Sequence, residues 1–264
     1  MNPELAQKIQ THNRQRKIQV GIFLGIVLAL LALALPGAEI DLNKLYRGLP
    51  RMSDFLGRMV PPDTSVMSTV LNSTLETLQI AFVGTFFSVV LSFPLALLAA
   101  TNLSPPWLAQ PLRWFLGAIR SVPLILLALF FVSTVGLGPF PGVLAITVHS
   151  VGMLAKFYAE AFENADPGVL EALDSAGATL LQRVRFGIFP QVAPDLIRDT
   201  LFRLELNFRE SLILGLVGAG GIGFYIQLYI RSFQYERVAT LTITLLLIVV
   251  VVELISNKLR QHLR

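Results

Sequence analysis

The run VATLTITLLLIVVVVELI, Val238 to Ile255, is eighteen residues of almost unbroken apolar side chains. An α-helix of about 20 such residues crosses the hydrocarbon of a bilayer. The rest of the chain repeats the theme: 54% of residues are hydrophobic and 14% charged, whereas a soluble domain carries about 25% charged residues. The unit of organisation is therefore the membrane helix, and the fold class is all-α, a polytopic transmembrane bundle of about six spans.

The first run, Ile18 to Pro36, follows Lys8, Arg14, Arg16 and Lys17. It is too long for a signal-peptide core, and its A-x-A-like site, Ala32 to Ala34, lies inside the run. The organisation is an N-terminal tail over 1–17, a first span over 18–36, a polar segment over 37–73 and a helical core over 74–264. Core spans are expected over Thr74–Ala100, Leu112–Val135, Gly142 to about Phe162, Ala193–Val217 and Val238–Ile255. Pro123 interrupts the second of them, as a hinge or a static kink. Six crossings place both termini on one side. The basic tails, the C-terminal one with Lys258, Arg260 and Arg264, put that side in the cytoplasm, the 37–73 segment outside it and the 165–192 loop inside it. Lys44, Arg47, Arg51 and Arg58 in the outer segment weaken the local bias around the first span.

Between two hydrophobic runs lies LVGAGGIG, Leu216 to Gly223, in which Gly218, Gly220 and Gly223 fit the G-x-G-x-x-G spacing of a dinucleotide-binding turn. That fingerprint requires a strand before it and a soluble strand-and-helix unit around it. Neither is present in the pattern. Gly218, Gly220, Gly221 and Gly223 are instead expected to permit a tight connecting or re-entrant backbone, a helix-packing or gate element where protein surrounds it. Cysteine is absent, and His12, His149 and His262 form no H-E-x-x-H pair. No metal site and no thiol chemistry are expected. The net charge of +4 sits largely beside apolar runs, so no nucleic-acid partner is inferred.

The 165–192 loop carries DPGVLEALDSAGATLLQRVRFGIFP, and Asp166 followed by Pro167 is a helix start. Val169, Leu170, Leu173, Ala176, Leu180 and Leu181 recur at three-to-four spacing, so an amphipathic helix is expected through Leu181, covered by lipid or by a groove on a partner protein. Glu171 and Ala172, then Gly177 and Pro190, resemble the loop pattern of binding-protein-dependent ABC importer permeases. In that pattern E-A-A is followed four residues later by glycine and ends in L-P. Leu173, Gly187 with Ile188, and Phe189 depart from it while its spacing stands. RSVP (Arg120 to Pro123), the stretch from Gly136 to Glu163 and GLVGAGGIG (Gly215 to Gly223) make the chain similar to phosphonate-transporter permeases of the type I, methionine-importer-like class.

That resemblance implies a permease core over 74–264 in the bacterial inner membrane, with Glu171, Ala172, Leu173, Gly177 and Pro190 coupling it to an ATPase. It implies a pore built with a second copy of the chain, an extracytoplasmic solute-binding protein and a cytoplasmic ABC ATPase dimer. ATP and Mg would be bound by that partner and no cofactor by this chain, which has no G-x-x-x-x-G-K-[ST] sequence and no expected catalytic residue. The expected cargo is a phosphonate or related phosphorus oxyanion. The alternatives are another small solute, or an ion-coupled secondary transporter, although no internal repeat of the kind common in such carriers is evident.

An ionisable group in hydrocarbon costs about 2.5 kcal/mol or more, so each one in a span requires a partner or a pathway. Arg203, Glu205, Arg209 and Glu210 crowd the Ala193–Val217 span. Glu205 and Arg209 share a helix face and either pair with each other or leave Arg209 to offer a donor fork to a passing oxyanion. Arg203 and Arg120 are further candidates for the substrate path, while Lys156 and Glu160 are spaced to pair.

Overall fold

The computed structural model describes residues 3–261 and divides the chain into two units, Met1–Gly57 and Arg58–Arg264. Arg264, one of the basic residues used to orient the chain, lies outside the described residues. In the first unit, α1 (Pro3–Ala34) runs unbroken through the expected boundary at residue 17. The basic segment is thus part of the helix, because Gln, Lys and Arg are good helix formers and Pro3 occupies a position where its missing N–H is harmless. The polar segment over 37–73 is also largely helical. Asp41 accepts hydrogen bonds from the Asn43 and Lys44 N–H groups at 2.8 and 3.1 Å and thereby starts α2 (Leu42–Gly57).

In the second unit, Asp63 caps a short 3₁₀ turn through the Ser65 N–H at 2.8 Å. From it runs α3 (Met67–Ala99), which begins before the expected Thr74. The span expected over Leu112–Val135 is two helices, α4 (Pro106–Ser121) and α5 (Leu124–Val135), meeting at 82°. Pro123 lacks an N–H and disfavours helical backbone at Val122, which is extended here, and the helix breaks at this point. Then follow α6 (Pro139–Glu163), α7 (Pro167–Ser175), a single turn α8 (Leu180–Gln182), a π-helical stretch (Arg183–Ile188), α9 (Phe189–Gly215), α10 (Gly221–Arg231) and α11 (Tyr235–Gln261).

Among the described residues, four helical segments are long and apolar enough to cross a membrane: Gln15–Ala34, Thr64–Ala99, Pro139–Glu163 and Tyr235–Leu259; α4 with α5 would make a fifth. The 27-residue α9 is long enough but carries Asp195, Arg198, Asp199, Arg203, Glu205, Arg209 and Glu210. The expected total of about six is reached only by adding α9 to these five.

Helices α3, α6 and α9 form the centre of the second unit. Two buried hydroxyls on α3 return to its own backbone, Thr77 donating to the Ser73 carbonyl at 2.8 Å and Thr85 to that of Ala81 at 2.6 Å. Such bonds let polar side chains sit inside an apolar bundle without an unsatisfied group. Small residues set the spacing. A Cβ on Gly84 would lie 2.6 Å from Ile146 Cγ2, and one on Gly152 would lie 2.8 Å from the Leu116 carbonyl oxygen.

Candidate functional site

The 165–192 loop is built as a rigid bracket. Asp166 Oδ1 accepts from the Gly168 N–H at 2.8 Å, as its position before Pro167 predicts. The helix ends at Ser175, however, and does not reach Leu181. Gly177 adopts φ +75°, the Gly177 N–H donates to the Asp174 carbonyl (2.9 Å) and the Ala178 N–H to that of Leu173 (3.0 Å). This is the Schellman arrangement, in which glycine in the left-handed region stops the helix. Thr179 and Gln182 then form a capping box for α8, so the apolar spacing across 176–181 is split between two elements.

The inward face of α7 is held by Leu170, which is buried, and Leu173, which is half-buried. Both pack over Gly187 of the π-helical stretch, where an added Cβ would lie 2.8 Å from Leu173 Cδ1 and 3.0 Å from Leu170 Cδ2. Arg183 pairs with Asp174 at 3.1 Å, and Gln191 accepts from the Asp166 N–H at 2.9 Å while donating to the Gly187 carbonyl at 2.7 Å. Leu170 belongs to an apolar cluster with Tyr158, Phe162, Ile188 and Leu196 that continues into α6 and α9. Glu171, Ala172, Gly177 and Pro190 face outward, exposed. Beside the bracket, Glu163 at the end of α6 accepts from Thr101 N–H and Oγ1 at 2.7 and 2.6 Å and pairs with Arg113 of α4.

The glycine stretch is the turn between α9 and α10. Gly218, Gly220 and Gly221 hold φ between +72° and +88°, which favours glycine. Gly215 and Gly223 face each other where α9 and α10 cross. The Gly138 N–H donates to the Gly218 carbonyl at 3.0 Å, Leu137 lies over Gly218, and the Ile222 N–H donates to Thr77 Oγ1 at 2.8 Å. A cavity of about 230 Å³ opens beside the turn, lined by Glu76, Leu137, Gly138, Gly220, Phe224 and Tyr225 among others. A helix rather than a strand precedes this turn, and no strand occurs among the described residues. The dinucleotide reading fails on both counts.

The charges of α9 separate into two groups. Arg203 is buried, pairs with Glu210 at 2.8 Å, donates from Nε to Ser150 Oγ at 2.9 Å and places Nη2 3.0 Å from His149 Nδ1. Ser150 in turn donates to Asn207 Oδ1 at 2.9 Å, and Asn207 Nδ2 to Thr85 Oγ1 at 2.8 Å, a chain of hydrogen bonds that ties α6, α9 and α3 together. Arg209 is 45% exposed and Nη2 contacts both Glu205 (2.8 Å) and Glu253 of α11 (3.2 Å). The Glu205–Arg209 pair anticipated from the spacing is present, with Glu253 as a second carboxylate.

Sequence spacing missed Glu210 as the partner of Arg203. The two are seven residues apart, two full turns, so long side chains are needed to meet. Lys156 and Glu160 lie 3.5 Å apart. Arg120 is exposed in the last turn of α4, and Pro123 is the residue preceding α5. The structure therefore does not bring Arg120, Arg203 and Arg209 to one cluster of hydrogen bonds.

Residues 92–264 match a family model described as the binding-protein-dependent transport system inner membrane component. The phosphite transport system permease protein PtxC of Stutzerimonas stutzeri is 40% identical over 247 residues, 93% of this chain and 89% of the relative. The phosphate-import permease protein PhnE of Mycolicibacterium smegmatis is 37% identical over 220 residues, covering 83% of this chain and 41% of the relative. Among solved structures, a chain of the MetNI methionine ABC transporter in an inward-facing conformation is 24% identical with a TM-score of 0.67, covering 76% of this chain and 99% of that one. At that identity the likeness is one of fold.

Proposed function

Because the chain belongs to the family of binding-protein-dependent transport system inner membrane components, we propose that it forms the pore of an importer for phosphite, phosphonate or a related phosphorus oxyanion. The observation that carries the mechanism is the 165–192 bracket. α7 is seated on Gly187, and Leu170 joins an apolar cluster continuous with α6 and α9. Close-packed interiors have little slack, so a displacement applied to α7 is transmitted to those helices. The exposed Glu171, Ala172, Gly177 and Pro190 form the surface on which a cytoplasmic ABC ATPase docks.

ATP and Mg are bound by that ATPase, and closure of its dimer pushes α7 and rocks the helices between inward-open and outward-open states. Two copies of the chain line the pore, both termini are cytoplasmic, and an extracytoplasmic solute-binding protein delivers the cargo. The glycine turn with Leu137 and Gly138 is the packing element that closes the outer end. Within the path, Arg209 is the candidate donor to the anion, because it is part-exposed and a planar guanidinium matches an oxyanion. Arg203 is structural, its N–H groups being directed at Glu210, Ser150, Met153 and His149.

The test is to purify the chain with its ATPase and binding protein and measure ATP hydrolysis with and without phosphite- or phosphonate-loaded binding protein. Stimulation is expected in the wild type and its loss in Gly177→Asp with assembly intact. Equal stimulation in both would overturn the role of the bracket. Cargo transport by the chain alone would overturn the ATP-driven reading.

A further inference from the structure

The helix α2 has one apolar side. With about 100° per residue, Leu42, Leu45, Tyr46, Leu49, Met52 and Leu56 fall within a sector of about 120°, and each is at least half exposed, from 50% at Leu49 to 76% at Tyr46. Lys44, Arg47 and Arg51 project from the opposite side. Helices of this composition, apolar on one face and basic on the other, are stable where water and acyl chains meet.

Position along the chain adds a second constraint. α2 follows α1, whose Gln15–Ala34 segment is long and apolar enough to span, after seven residues, 35–41. Seven fully extended residues reach about 25 Å, and here Pro36–Ala38 form a tighter 3₁₀ turn. The start of α2 is thus tethered to the membrane face at which α1 emerges. An exposed apolar stripe about 24 Å long held that close to a bilayer has acyl chains within reach. Its basic side complements anionic headgroups.

We propose that α2 is an interfacial helix lying along the bilayer surface, with the stripe centred on Leu45 and Leu49 sunk into the acyl boundary of an anionic leaflet. It anchors the segment that joins α1 to the remainder of the chain. The proposal rests on the membrane character of the chain and not on the identity of its cargo.

The chain contains no cysteine, so single-cysteine variants at Lys44, Leu45, Leu49 and Arg51 carry a spin label with no background. The full-length chain is reconstituted in phosphatidylcholine vesicles with and without phosphatidylglycerol, and collision with dioxygen and with a water-soluble nickel chelate is measured. Dioxygen collision is expected to exceed nickel collision at 45 and 49 and to fall below it at 44 and 51, with 45 and 49 moving shallower when phosphatidylglycerol is omitted. Equal nickel access at all four positions would overturn the proposal by placing α2 in water. Shielding of 45 and 49 from both reagents would overturn it in favour of a protein, a second copy or a binding protein, as the occupant of the stripe.

Discussion

A methyl group at Gly215 tests the crossing of α9 and α10. A Cβ there would lie 2.5 Å from the Phe224 nitrogen and 2.7 Å from both the Gly220 carbonyl oxygen and the Gly223 carbonyl carbon. All three are backbone atoms, which cannot rotate aside, and an ordinary carbon–oxygen contact is about 3.3 Å. In Gly215→Ala, α10 must therefore withdraw by more than about half an ångström, which strains the Ile222 N–H bond to Thr77 Oγ1 and the contact of Ile222 with Val70 and Leu241. Overpacking costs about 1–3 kcal/mol and a lost hydrogen bond about 1 kcal/mol, so the variant should lose about 2–4 kcal/mol. The control is Gly117→Ala in α4, where nothing lies within 4 Å of the added carbon and helix propensity favours alanine by about 0.5–1 kcal/mol. Far-UV circular dichroism during SDS titration in mixed micelles measures both. A Gly215→Ala midpoint at or above wild type, or equal shifts in the two variants, would refute the reasoning.

At Gly177 nothing lies within 4 Å of an added Cβ while φ is +75°, so conformation and not bulk should rank the variants. Binding-protein-stimulated ATPase activity of the complex is expected to fall from Gly through Asn and Ala to Val, and a Val variant matching Gly would contradict this. Asn207→Ala with Ser150→Ala forms a double-mutant cycle across a buried 2.9 Å bond; coupling of about 0.6 kcal/mol is expected, and strict additivity would remove the bond from the stabilising set. The Ser65 hydroxyl first, then the Ser65 N–H and then Arg237, all hydrogen-bonding to it, hold the Asp63 carboxyl below its ordinary 3.8. Since the folded value is the lower one, this contribution is present above about pH 4 and is lost as pH falls through the folded value. The wild type should accordingly lose stability more steeply in acid than Asp63→Asn, and identical pH profiles of the denaturation midpoint would exclude the effect. Arg209→Gln is expected to lower oxyanion uptake in reconstituted vesicles, and unchanged uptake with unchanged anion preference would assign Arg209 to the Glu205 and Glu253 pairs alone.

The apolar runs were legible because hydrocarbon admits few alternatives to a helix, and Asp166–Pro167 because a cap acts locally. The amphipathic α2 was obscured by Gly48, Pro50 and its basic residues, which lower mean hydropathy while leaving the one-sided pattern intact. Gly177 stops α7 through a backbone angle that apolar periodicity does not encode, so the stripe seemed to continue to Leu181. The eleven-residue α10 is too short to register as a span and follows directly on a glycine turn. Asn207, Ser150 and Thr85 meet only through tertiary packing, and nothing in their spacing, 122 residues between the outer two, relates them.

The π-helical stretch Arg183–Ile188 runs directly into α9, and a π-bulge behaves as one residue added to an α-helix. Its presence sets the phase between the bracket and the charged faces of α9. Were the same six residues to wind as α-helix with no change of length, everything before them would turn by about 100° relative to everything after. Helicity would survive such a change, but Leu170 and Leu173 would no longer face position 187, and α7 would be aimed elsewhere. In this molecule the direction in which the loop points is set by how far six residues wind, so a substitution that favours α over π winding here should disturb the loop more than the loss of one residue.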